Sequence, residues 1–79
     1  MQEINDRKLQ MLRKKYCTNT RVELLYMDDN SAPAIGTNGT ITHVDSLGTI
    51  HINWDNGSKL GVVYGIDKIR IISDEQGKE

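Results

Sequence analysis

The sequence predicts a small all-β fold with one α-helix added at its N-terminus. Three observations carry this reading. Apolar residues recur with a period of two in several short runs after residue 19. An Asn-Gly pair, Asn56-Gly57, stands between two such runs, the strongest short hairpin signal. Before residue 17 the spacing is helical instead, with Leu9, Leu12 and Tyr16 at i, i+3 and i+7.

The helix is expected over residues 5 to 16. Asn5 suits an N-cap, Asp6 the positive end of the helix dipole, and Lys14 and Lys15 the negative end. A helix this short with one apolar stripe is marginal alone in water, so it must dock. Docking on its own strands or on a second copy would both satisfy the stripe. A small chain gains more from assembly, so the stripe Leu9, Leu12 and Tyr16 is assigned to a homo-oligomer interface, most simply a dimer.

The first strand runs from Thr20 to Tyr26, with Val22, Leu24 and Tyr26 on one face. Residues 27 to 35 read MDDNSAPAI, hold the only proline and form a long loop. Gly36 to Gly39 turn the chain into a second strand, Thr40 to Asp45. There the spacing of Ile41 and Val44 breaks alternation and implies a β-bulge. Thr49 to Trp54 alternates cleanly, with Ile50, Ile52 and Trp54 on one face. Asn56-Gly57 is expected at the centre of a type I′ turn, which needs positive φ at both residues. Lys59 to Tyr64 returns, with Leu60, Val62 and Tyr64 sharing a face. Residues 65 to 68 suggest one turn of 3₁₀ helix, and Ile69 to Ile72 form the last strand.

Five short strands, a long first loop, tight later hairpins and a turn before the last strand follow the order of an SH3-like barrel. Closing such a sheet covers its edges. The expected organisation is a basic amphipathic helix over 1–18, a barrel over 19–73 and a polar tail over 74–79.

Composition bounds the rest. A chain of 79 residues buries roughly 60% of its unfolded surface, which excludes a two-domain cleft. Apolar residues at 37% and charged residues at 27% are those of a globular chain, not a disordered one. The sequence shows neither a membrane span nor a signal peptide, and a single cysteine, Cys17, cannot form an internal disulfide. A cytoplasmic protein is expected.

The net charge of −1 hides a dipole. Six cations face two acids up to residue 21, a net +4. Four cations face nine acids beyond it, a net −5. Phosphate binding would therefore have to run through Arg7, Lys8, Arg13, Lys14 and Lys15. The acidic body and the absence of a stacking platform beside the helix argue against nucleic acid as the main partner.

No nucleophile stands in a catalytic frame, and the chain reads as non-catalytic. His43 and His51, without a third ligand, make a poor zinc site. No metal and no cofactor are expected. The aspartates fall in turns, where their side chains cap backbone N–H groups. Some could also rim a groove between the long loop and the later hairpins. That groove would be bounded by Tyr26, Met27, Asp28, Trp54, Asp55 and Tyr64, although Trp54 and Tyr64 fit a core equally well.

Two stretches carry a family resemblance. The first is Gly36-Thr-Asn-Gly-Thr-Ile-Thr-His-Val-Asp45. The second runs Ile50-His-Ile-Asn-Trp-Asp-Asn-Gly-Ser58, then Leu60, Val63-Tyr-Gly-Ile-Asp67 and Arg70. With Leu25-Tyr-Met-Asp-Asp-Asn30 and Pro33, residues 20 to 72 resemble a family of small domains of unknown function. That family is found in Gram-positive bacteria, their phages and conjugative elements. The resemblance implies an SH3-like or KOW-like barrel of phage or mobile-element origin and brings no activity. The expected function is protein–protein interaction, including self-association. A first alternative is an anti-defence sponge that sequesters a small nucleotide-type signal between subunits. A second is nucleic-acid binding through the basic helix.

Overall fold

The computed structural model describes residues 5–73, so residues 1–4 and the expected tail over 74–79 lie outside the described residues. The elements are α1 (Asp6–Lys15), β1 (Arg21–Tyr26), β2 (Asn38–Val44), β3 (Thr49–Trp54), β4 (Val62–Val63) and β5 (Lys68–Ser73). The strands form one open antiparallel sheet in the order β4-β3-β2-β1-β5, with β4 and β5 as its edges.

The helix starts as its sequence requires. The Asn5 side chain accepts the Lys8 N–H at 2.8 Å, which satisfies one of the open donors of the first turn. The stripe docks in cis. Leu12 and Tyr16 belong to the same buried cluster as Val22, Leu24, Ile41, Val44, Ile50, Ile52, Trp54 and Val62, and Leu9 packs against it. The chain's own sheet thus receives Leu12 and Tyr16, and Leu9 in part, the side chains assigned above to an oligomer interface. A further tie is Arg13 Nε, which donates to the Val44 carbonyl at 3.1 Å.

The bulge in β2 is present. The register shifts between Ile41 and His43, so Ile41 pairs with Ile52 and Val44 with Ile50. That extra residue lets both Ile41 and Val44 face inward. A second irregularity, in β1 between Leu24 and Tyr26, was not legible in the alternation. It turns Tyr26 outward, 47% exposed, and carries Met27 into the core instead.

The hairpin after β3 differs from a type I′ turn. Gly57 has φ +96°, but Asn56 does not have positive φ. Gly57 N–H donates to the Trp54 carbonyl and Trp54 N–H to the Ser58 carbonyl, both at 2.9 Å. Asp55 and Asn56 are therefore the central residues, and Gly57 takes the left-handed position of a three-residue loop. The return strand is cut to Val62–Val63. Leu60 gives its carbonyl to Trp54 Nε1 at 3.0 Å, and Gly61 crosses Thr49 so closely that a Cβ would lie 2.6 Å from its Cγ2. The chain rejoins the ladder where Val62 meets Ile50. Residues 65–66 form a turn in place of the expected 3₁₀ helix, with Gly65 at φ +94°.

Candidate functional site

The six residues expected to rim one groove do not converge. Trp54 is core, 3% exposed, and Met27 is buried. Both were placed on the rim from the usual position of a groove in SH3-like barrels, whereas the alternation of β3 had set Trp54 on the same face as Ile50 and Ile52. Asp55 is exposed, but its carboxylate is gripped at both oxygens by Arg21, Nη1 to Oδ1 at 2.9 Å and Nη2 to Oδ2 at 2.7 Å. That bidentate guanidinium holds the Asp55 carboxyl below its ordinary value. Asp28 is exposed beyond the end of β1. Tyr26 pairs across the ladder with Lys68 and points to solvent. Tyr64, 49% exposed, borders a concave surface.

That surface is a half-open groove of about 350 Å³, at the small end of ligand-binding sites. Its deep side is made by core residues Tyr16, Ile50 and Val62. Leu25, Tyr64 and Ile69 form the walls, and Lys15 and Lys68 stand at the rim. The Lys15 ammonium lies 5.4 Å from the centroid of the Tyr16 ring, within cation–π range. Leu25 is 42% exposed, because the β1 irregularity leaves it outside the core.

Asp67 shapes the groove. It is only 9% exposed, and each of its carboxylate oxygens accepts a backbone donor. Oδ1 accepts the Asp28 N–H and Oδ2 the Val63 N–H, each at 2.9 Å. Asp67 lines the groove as well, and Lys15 and Lys68 enter none of the ion pairs found among the described residues. Leu25, Lys68 and Ile69 were missed as site residues, and Lys15 was named only as a phosphate contact. Val63-Tyr-Gly-Ile-Asp67 signalled a turn, but nothing local says that this turn faces the C-terminal end of the helix.

Two other clusters stand apart. On the outward face of β2 and β3, the rings of His43 and His51 stack at 4.4 Å and 7°. His51 Nε2 lies 2.8 Å from Asp45 Oδ2. This hydrogen bond, with the N–H groups of Thr49 and Leu47, holds the Asp45 carboxyl below its ordinary value of 3.8. No group of three or more metal-ligating side chains forms among the described residues. The cations expected to meet phosphate are exposed along the helix. Arg7, Gln10, Met11 and Lys14 enclose a second concavity of about 270 Å³ there. No described helix is long and apolar enough to cross a membrane.

No curated protein and no solved structure matches the chain. A family match does, and it covers residues 5–72, so it takes in the helix that the sequence resemblance left out. The chain belongs to the family described as Domain of unknown function (DUF4314).

Proposed function

We propose that this protein is a non-catalytic binding module of the cytoplasm whose partner is another protein. The observation that carries this reading is the groove beside Tyr64, with exposed apolar walls and, at its rim, two lysines that enter no ion pair among the described residues. Elsewhere on the same elements Val63, Ile66, Ile71 and Ile72 are each 36% exposed or more. An apolar centre with a charged rim is the anatomy of a protein contact. The strand order and the short crossing at Gly61 support an SH3-like reading of the sheet. The phage or mobile-element origin implied by the sequence belongs to the same proposal.

Affinity capture from the native host with three baits tests it. The wild-type chain and Gln10→Glu, altered at an exposed helix position that does not line the groove, are expected to retain the same protein at equal yield. Tyr64→Glu is expected to lose it. Equal retention by all three baits would remove the groove from the reading.

A second reading has one observation in its favour. A phenol ring beside two ammonium groups also suits a small anionic ring-bearing ligand such as a nucleotide. A groove this open would need a second subunit to enclose it. Native mass spectrometry of the freshly purified protein separates the two readings, because a sponge would carry a stoichiometric small molecule on an oligomer.

A further inference from the structure

The outer edge of β5 is the end of the sheet, and its backbone direction follows from β1. Leu24 N–H donates to the Thr37 carbonyl and the Leu24 carbonyl accepts the Gly36 N–H, both at 2.8 Å. Both backbone groups of Leu24 therefore face away from β5. In an antiparallel ladder this direction alternates, and residues directly opposite share it. Leu24 lies opposite Ile69, so the Ile69 N–H and C=O point to the open edge. Glu23 and Arg70 face each other across the ladder, and Ile71, opposite Val22, turns outward again. The edge thus offers the backbone donors and acceptors of Ile69 and Ile71.

The edge and the groove are continuous, because Lys68 and Ile69 belong to both. Ile71 and Ile72 are exposed along it. A segment pairing with β5 would carry its side chains directly toward the groove. At that end it would meet Lys68 and Lys15, whose charges no described ion pair neutralises.

We infer that the partner docks by adding an extended strand to the free edge of β5, with an acidic side chain over Lys68 and Lys15 and apolar side chains beside Ile69 and Ile71. Main-chain hydrogen bonds supply affinity in this mode, and pockets for alternate side chains supply selectivity. The inference deepens the protein-binding reading and rests on it. A foreign segment fits better than a second copy, since β5 itself contributes Lys68 and Arg70 and no acid.

The test uses the full chain and a display library of random peptides about ten residues long, enough to form a strand. Selected peptides are expected to alternate apolar residues and to carry acids. In the free protein the Ile69 and Ile71 amides should exchange with solvent rapidly and the Arg70 amide slowly. Bound peptide should protect Ile69 and Ile71. Ile71→Pro removes one outward N–H at an edge, where proline is tolerated, and should weaken binding about tenfold. Lys68→Glu should weaken it as well. If Ile71→Pro fails to fold, exchange in the wild-type complex decides alone. Peptides that perturb Tyr64 and Leu25 without protecting the two amides would overturn strand addition and leave the groove reading standing. A library yielding no binder would also overturn it, and the bait comparison would still judge the groove. Protection of both amides in a peptide-free dimer would assign the edge to a second copy and overturn the inference.

Discussion

The Asp67 carboxylate accepts the backbone N–H of Asp28, 39 residues earlier in the chain, at 2.9 Å. With its other oxygen it caps Val63, so one side chain ties the end of β1 to the turn between β4 and β5. That tie positions the turn that carries Tyr64 and Lys68, which line the groove together with Lys15 and Tyr16 at the end of the helix.

Asp67→Ala should destabilise the protein by about 1–3 kcal/mol, because two backbone donors in a largely buried place lose their acceptor. Asp67→Asn should recover only part of this, since its amide nitrogen faces a donor. Chemical denaturation checks both. A wild-type midpoint for Asp67→Ala would show that water replaces the carboxylate without loss.

Leu12→Ala should cost about 2–5 kcal/mol, as expected for a leucine removed from a packed core, whereas Met11→Ala, one residue away at 63% exposure, should change stability by less than about 0.5 kcal/mol. The contrast tests docking of the helix in cis. A chain shortened to begin at Asn19 should accordingly lose cooperative unfolding. Equal and small effects of the two substitutions would contradict the packed helix.

Glycines at two positions should fail for different reasons. Gly57→Val meets open space, with nothing within 4 Å of the added Cβ, but must hold φ +96°. It should cost more than about 1 kcal/mol, and Gly57→Asn less, because asparagine tolerates the left-handed region. Gly39→Ala has no such strain, yet its Cβ would lie 2.6 Å from Ile52 Cγ2 and 2.9 Å from Trp54 Cε3. Overpacking there should cost about 1–3 kcal/mol. Thermal melts of the three variants separate strain from crowding.

Acid should weaken the β2–β3 hairpin through Asp45. Its carboxyl is held below 3.8 chiefly by the hydrogen bond to His51. A depressed carboxyl stabilises the fold fully above its unfolded value, and that contribution disappears as pH falls through the folded value. Stability of the wild type should therefore drop below pH 3.8 more steeply than that of Asp45→Asn. Parallel curves for the two proteins in denaturant at a series of pH values would remove Asp45 from the acid transition.

Elements with a local cause were legible. Asn5 capped the helix where its type and position required. The bulge in β2 could be read because Ile41 and Val44 both needed the core and only one extra residue allows that. Thr49 to Trp54 kept its register because one apolar face of three large residues admits no slip. The left-handed residue after β3 was correctly placed at Gly57, although the turn around it has one positive φ and not two.

The sequence by itself determined the helix, the strands and which residues are apolar enough to seek burial, since these follow from neighbours along the chain. Only the tertiary structure decided where each ends in depth. Tyr26 and Met27 exchange places through an irregularity imposed by pairing with β5, which no pattern within β1 records. Trp54 becomes core because Leu60 returns to accept its indole N–H. The groove exists because Lys15 on α1, Leu25 on β1 and Lys68 on β5, distant in sequence, meet around Asp67. Alternation and helical spacing carry direction but not distance, and a site assembled across three elements is a matter of distance.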